Sequence, residues 1–79
     1  MNLKNFINKI LWDKRENKEN YSFFYIDRIE RKEKEIKGKD IIKSEGNFII
    51  VGIDNSQISV PMHRIKTIKK KGAVVWSKP

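Results

Sequence analysis

The sequence contains no cysteine, and this absence excludes disulfide bonds, thiolate catalysis and zinc–thiolate sites. Its single histidine excludes the paired-histidine motifs of cyclic phosphodiesterases, and its four glycines are isolated from one another, so no glycine-rich loop can cradle a phosphate. No apolar run approaches the roughly 20 residues of a membrane span, and residues 1–11 lack the long apolar stretch of a signal peptide. We therefore predict a soluble, cytoplasmic protein that binds no metal or cofactor.

Basic residues are in excess, because 18 lysines and arginines oppose 10 acids and give a formal net charge of +8. Residues 1–40 carry eleven cations and eight anions, whereas residues 41–79 carry seven cations and two anions. An excess concentrated in one part of a chain favours a polyanionic partner. The alternative is that the lysines only keep the protein soluble. With 79 residues, of which 38% are hydrophobic, we predict one domain with a small core, residues 1–79.

The N-terminal pattern predicts a short amphipathic helix. Asn2 is a suitable N-cap, and apolar residues then recur three and four positions apart on one face, namely Leu3, Phe6, Ile7, Ile10 and Leu11. Trp12 and Asp13 mark the end of the helix. We expect the Trp12 side chain to lie in the core, with a surface platform for base stacking as the alternative.

Short strands with tight turns are predicted after the polar loop at residues 14–20. Residues 21–28 are rich in aromatics and predict a central strand that is covered on both faces. Residues 30–39 surround one apolar side chain with charges, which is typical of a solvated hairpin arm or a mobile loop. Further strands are predicted at residues 47–53, 57–60 and 73–76, and residues 64–69 are a strand or a helical turn. The expected fold is α+β, with one N-terminal helix packed on a bent antiparallel sheet or small barrel of about five strands.

The segment at residues 60–65 carries the most specific chemical signal. It holds the only histidine, one of two prolines and one of four arginines. Pro61 favours a strand edge or bend, while His63 and Arg64 supply hydrogen-bond donors that suit a phosphate. More cations follow, namely Lys66, Lys69, Lys70 and Lys71. We predict that this segment binds a nucleic-acid phosphate and that these lysines follow the upstream backbone. The alternative is an ordinary strand entry with a solvated basic tail.

Other candidate site residues lie at the end of the aromatic strand. Arg28 can supply a second guanidinium fork, and Tyr25 can stack on a base. Asp27 is expected to orient Arg28 or His63. The hypothesis requires His63, Arg64 and Arg28 to converge on one concave surface. Its rivals are slow acid–base catalysis by His63 and Asp27, and a protein adaptor whose basic face docks on an acidic partner or a ribonucleoprotein.

Several motifs, taken in order, resemble one known family. They are Leu11-Trp12-Asp13 at the end of the helix, Tyr25-Ile26-Asp27-Arg28, Ile36-Lys37-Gly38-Lys39-Asp40-Ile41, Val60-Pro61-Met62-His63-Arg64-Ile65 and Gly72-Ala73-Val74-Val75-Trp76. Their order and spacing resemble a small, mostly archaeal family, first called uncharacterised and later renamed the RNA cyclic group end recognition domain. The family usually has an aromatic residue where this chain has Met62.

The resemblance implies a module that binds RNA 3′ ends carrying a 2′,3′-cyclic phosphate, or a processed form of one. The positions that match the family's pattern are His63 with Arg64, Asp27 with Arg28, and the two tryptophans, Trp12 and Trp76. We expect Trp76 to pack in the core. The expected partners are the RNA 3′ terminus with its phosphate backbone, and enzymes of RNA repair or processing. We expect a binding module rather than an enzyme, and a monomer.

Overall fold

The N-terminal helix forms as its pattern predicts. In the computed structural model, which describes residues 2–78, helix α1 spans Leu3–Trp12. The Asn2 side chain accepts a hydrogen bond from the backbone N–H of Asn5 at 2.8 Å, which satisfies one of the free donors of the first turn. Ile7 and Ile10 are buried, so the apolar stripe of the helix faces the core.

Seven strands follow the helix: β1 (Tyr21–Ile26), β2 (Glu33–Lys37), β3 (Ile41–Glu45), β4 (Phe48–Ile53), β5 (Ser56–Pro61), β6 (Ile65–Lys70) and β7 (Ala73–Ser77). They form two antiparallel sheets, one of four strands in the order β2-β1-β6-β7 and one of three strands in the order β3-β4-β5. The α+β class is therefore confirmed. The number of strands exceeds the predicted five, and the strands of residues 21–77 make two open sheets rather than a closed barrel.

Two short 3-10 turns carry the chain from one sheet to the other. The first corner, Gly38–Asp40, joins β2 to β3, and the second corner, Met62–Arg64, joins β5 to β6. After each turn the N–H of an isoleucine, Ile41 or Ile65, donates to the carbonyl oxygen of the first turn residue. Corners of this kind let strands leave one sheet and enter another at a steep angle.

The core lies between the inner faces of the two sheets and the apolar stripe of α1. It is one cluster of buried side chains, consisting of Ile7, Ile10, Tyr21, Phe23, Ile36, Ile41, Ile49, Val51, Val60, Met62, Ile65 and Ile68. The hydroxyl of Ser44 in β3 contacts the Asn8 side-chain oxygen at 2.7 Å, which ties the helix to the three-stranded sheet. Trp76 packs against the cluster from its edge, as predicted.

A β-bulge decides the conformation of residues 64–69. Ile65 and Ile68 are three positions apart, a spacing that suits a helix and would place them on opposite faces of a regular strand. In β6, however, Tyr25 pairs with Ile65 and Phe24 pairs with Thr67, so that Lys66 is an extra residue. The extra residue restores both isoleucines to the buried face. It leaves Lys66 exposed on the outer face.

One expectation about β1 needs revision, and one of the two alternatives for residues 30–39, the hairpin arm, is confirmed. The strand ends at Ile26, and only its inner face is buried, because the second sheet covers one side of the four-stranded sheet. The charged run at residues 30–39 contains the hairpin arm β2, in which Ile36 is buried opposite Phe23. Pairing with β1 along its length and one buried apolar side chain thus hold a strand whose other residues are charged.

The prediction that Trp12 lies in the core is wrong, because its side chain is 71% exposed. An α-helix turns about 100° per residue, which places Trp12 roughly 200° around the axis from Ile10 and away from the buried stripe. Within residues 2–78, no helix has the length and apolarity that crossing a membrane requires.

Candidate nucleic-acid interface

An open cavity of about 510 Å³ lies beside the second corner. Its lining residues are Ile26, Arg28, His63, Arg64, Lys66 and Lys78. They come from the end of β1 and the turn after it, the second corner, the start of β6 and the residue that follows β7. The prediction that His63, Arg64 and Arg28 converge on one concave surface is confirmed. Lys66 joins them there, also as a predicted site residue.

The cavity is strongly cationic. Four of its six lining side chains are lysines or arginines, and none of the described lining residues is acidic. Cations gathered in a concave surface add their potentials and attract an anion from solution. Arg28 and Arg64 each present a planar fork that matches two phosphate oxygens, and the imidazole of His63 adds a further N–H donor. The arrangement is suited to binding a phosphate group.

The second corner aims His63 and Arg64 at the cavity because its flanking residues are anchored in the core. Met62 and Ile65 are buried, and the backbone N–H of Met62 donates to the carbonyl oxygen of Asn47 at 2.8 Å. The two residues between these anchors project outward, with His63 exposed and Arg64 half-buried. Met62 itself is enclosed in the core and is not available to a base.

Arg28 is placed by the turn between β1 and β2, which Asp27 stabilises. One carboxylate oxygen of Asp27 accepts the backbone N–H groups of Ile29 at 2.8 Å and Glu30 at 2.9 Å. The other oxygen lies 3.2 Å from the ammonium of Lys34. The N–H of Glu30, followed by Lys34 and the N–H of Ile29, holds the pKa of Asp27 below its ordinary value.

These contacts correct the role predicted for Asp27. Both of its carboxylate oxygens are engaged by its own turn and by Lys34, so it orients neither Arg28 nor His63 directly. The His63–Asp27 pair suggested for acid–base catalysis is not formed. Asp27 acts on the cavity only through the backbone of the turn that carries Arg28.

Sequence reasoning missed two residues of the cavity, Lys78 and Ile26. The Lys78 ammonium donates to the carbonyl oxygen of His63 at 2.9 Å, and its backbone N–H donates to the carbonyl oxygen of Lys66 at 2.8 Å. No local pattern indicates this long-range closure of the C-terminal strand. Ile26 had a signal, because strand alternation places it on the same face as Arg28.

The remaining predicted site residues lie outside the cavity lining. Tyr25 packs against the core, and Trp12 stands exposed at the end of α1.

The ammonium of Lys69 lies 5.0 Å from the centre of the Phe24 ring. That of Lys70 lies 5.5 Å from the Tyr21 ring centre and 3.7 Å from a carboxylate oxygen of Glu16. Lys71 occupies the turn after β6 with a positive φ of 50°. The three lysines are thus at the end of β6 remote from the corner.

Comparisons with known proteins agree with the resemblance seen in the motifs. A family model described as the MJ1316 RNA cyclic group end recognition domain matches residues 1–78. A UPF0248 protein of Metallosphaera sedula is 35% identical over 78 residues, covering 99% of this chain and 94% of that protein. A UPF0248 protein of Saccharolobus islandicus is 30% identical over 81 residues, covering 99% of this chain and all of that protein. No solved structure matches the chain.

Proposed function

The chain belongs to the family of the MJ1316 RNA cyclic group end recognition domain, and from this premise we propose that it binds phosphorylated RNA 3′ ends, those with a 2′,3′-cyclic phosphate above all. The family description names the ligand class. The observation that carries the proposal is the cavity, in which Arg28, His63 and Arg64 meet without a neighbouring acid among the described lining residues. These residues come from separate parts of the chain and share a surface of suitable chemistry.

A 2′,3′-cyclic phosphate is a compact monoanion fused to a ribose. Its two free phosphate oxygens match one guanidinium fork, so Arg64 or Arg28 binds them in a bidentate manner. His63 donates to the remaining acceptors, and Lys66 and Lys78 add positive charge at the same cavity. Ile26 offers an apolar wall to the sugar. An end with two hydroxyl groups carries no such charge and forgoes these charge-assisted bonds.

RNA cleavage by attack of a 2′-hydroxyl on the neighbouring phosphate leaves a cyclic end. A module that binds this end would bring it to enzymes that repair or process RNA, which are therefore the proposed protein partners. The adaptor alternative, in which the basic face docks on an acidic protein, predicts no preference among RNA termini.

The test compares three short RNAs of one sequence that differ only at the 3′ end, which carries a cyclic phosphate, a linear phosphate or a hydroxyl group. We expect the cyclic end to bind at least tenfold more tightly than the hydroxyl end, since hydrogen bonds to charged groups contribute about 1.5–3 kcal/mol. His63→Ala should remove most of this preference. The matched control is Lys39→Ala, because Lys39 occupies the same position in the first corner. Equal binding of cyclic and hydroxyl ends by the wild-type protein would refute the proposal.

A further inference from the structure

The cavity is continuous with the outer face of the four-stranded sheet, because Ile26 and Lys66 belong to both. Strand alternation and the observed pairing place Ser22, Phe24 and Ile26 of β1 on this face, next to Thr67 and Lys69 of β6. No other layer of the described structure covers these side chains. Ile26 is 39% exposed, and Val74 of β7, opposite Lys69, is 57% exposed. A surface suited to a ligand therefore extends away from the cavity.

Phe24 lies at the centre of this face. It pairs with Thr67 and is half-buried, so part of its ring remains accessible. The ammonium of Lys69 lies 5.0 Å from the ring centre. Within residues 2–78 no carboxylate forms a salt bridge with Lys69, unlike Lys70, which lies near Glu16. The Lys69 ammonium can therefore move onto a phosphate, and the ring is then uncovered for a base.

Acidic residues limit where a phosphate backbone can lie on this face. Glu33 and Glu35 of β2 pair with Ile26 and Phe24 and are exposed. Since Ile36, between Glu35 and Lys37, points into the core, alternation places both glutamates on the outer face. Their charge repels phosphates from the part of β2 that lies beside Ile26 and Phe24, while Lys37 lies at the other end of β2, opposite Ser22. Lys66 and Lys69 attract phosphates on the β6 side. The electrostatics thus favour phosphates over β6 and bases over β1.

We propose that the nucleotides preceding the terminal one bind along this outer face, with a base against Phe24 and a phosphate at Lys69. The inference rests on the proposed function, because the cavity receives the terminus from which the strand departs. Phe24 lies about 7 Å from Ile26 along β1, at roughly 3.3 Å per residue. A ligand longer than one nucleotide therefore reaches Phe24 while its end occupies the cavity.

Two probes separate this subsite from the cavity. The first is adenosine 2′,3′-cyclic monophosphate, which can fill only the cavity. The second is a pentanucleotide of adenosine that ends in a 2′,3′-cyclic phosphate. We expect the pentanucleotide to bind wild-type protein about tenfold more tightly than the mononucleotide, since stacking of one base on an aromatic side chain contributes an effect of this size.

Phe24→Ala should abolish most of the gain from length, and Phe24→Leu should do the same while it retains apolar bulk for folding. Lys69→Ala should make pentanucleotide binding less salt-dependent by about one phosphate contact. The control is Phe48→Ala, which removes a phenylalanine that is 45% exposed on the outer face of the three-stranded sheet; it should preserve the gain.

Each outcome has a separate meaning. A pentanucleotide that binds no tighter than the mononucleotide, or a gain that survives both Phe24 substitutions in folded protein, overturns the subsite and leaves the cavity proposal intact. Failure of both probes to bind wild-type protein overturns the proposed function itself, and the subsite with it.

Discussion

The two corners of the molecule have nearly the same backbone and different chemistry. Lys37 and Pro61 precede them with φ and ψ of −78° and 136°, and of −61° and 133°. The isoleucines that follow have φ and ψ of −76° and 122° for Ile41, and of −70° and 128° for Ile65. In both cases the isoleucine is buried and the next residue is the extra residue of a bulge, Ile42 in one strand and Lys66 in the other.

The side chains on these matching backbones differ in charge. The first corner presents Lys39 and Asp40, whose charges cancel, and its bulge residue is apolar. The second presents His63 and Arg64, and its bulge residue is a lysine. The cationic cavity lies at the second corner. The same backbone conformation can therefore present two outward side chains at either corner, and the identity of those side chains determines what each corner can bind.

The first residue of each corner shows a second contrast, and it gives the largest predicted effect. At Gly38, an added Cβ would collide with the carbonyl oxygen of Lys18 and lie 2.9 Å from that of Tyr21, whereas the same position in the second corner holds the buried side chain of Met62. We expect Gly38→Ala to destabilise the protein by about 3 kcal/mol, because backbone must move to admit the methyl group. Urea denaturation measures this, with Lys39→Ala as an exposed control expected to stay within about 0.5 kcal/mol. If Gly38→Ala left the free energy of unfolding unchanged, the two corners would be interchangeable at this position.

The bulge residues provide an intermediate effect on binding. Lys66→Ile gives the second corner the bulge residue type of the first and suits a strand. We expect affinity for RNA with a cyclic end to fall about fivefold, and the salt dependence to decrease by about one phosphate contact. Titrations at several salt concentrations measure both quantities. Ile42→Lys, the reciprocal change, should alter neither; if it strengthens binding as much as Lys66→Ile weakens it, the cavity is not what distinguishes the corners.

The smallest predicted effect concerns Asp27, which supports the Arg28 side of the cavity from outside either corner. Its folded-state pKa lies below the ordinary value of 3.8, so its charge stabilises the fold fully above that value and progressively less as the pH falls through the folded pKa. Asp27→Asn keeps a side-chain oxygen for the turn but cannot titrate. We expect the variant to lose less stability than the wild type between about pH 5 and pH 2, as followed by urea denaturation. If the free energy of unfolding fell by the same amount with pH in both proteins, the charge of the carboxylate would not stabilise this turn.

Much of the local structure could be predicted from residue patterns. Helix α1 and its Asn2 cap follow from apolar spacing and side-chain chemistry, and the turn at Lys71 and Gly72 follows from glycine, which has a φ of 85° there. The patterns failed where tertiary contacts compete with local signals. The charges of residues 33–37 left a hairpin arm and a mobile loop as equal alternatives, and the pairing with β1 makes it the arm. The spacing of Ile65 and Ile68 concealed a bulge.

The candidate site was predictable in its residue types and only partly in its membership. His63, Arg64 and Arg28 stood out because histidine and arginine are rare in this chain and suit a phosphate. Tyr25 and Trp12 are predicted as aromatic faces for base stacking, yet one packs on the core and the other lies off the cavity. Which aromatic adjoins the cavity depends on strand register. Phe24 lies on the same face of β1 as Ile26, and this face is continuous with the cavity.

By itself the sequence determined the helix, the basic charge and the few side chains able to hold a phosphate, because these depend on composition and on contacts between near neighbours. Only the tertiary structure decided that Arg28, the second corner and Lys78 share one surface, and that the carboxylate of Asp27 binds its own turn and Lys34. Residues far apart in the chain meet through strand pairing and corner geometry, and a bulge of one residue is enough to change which face a side chain occupies.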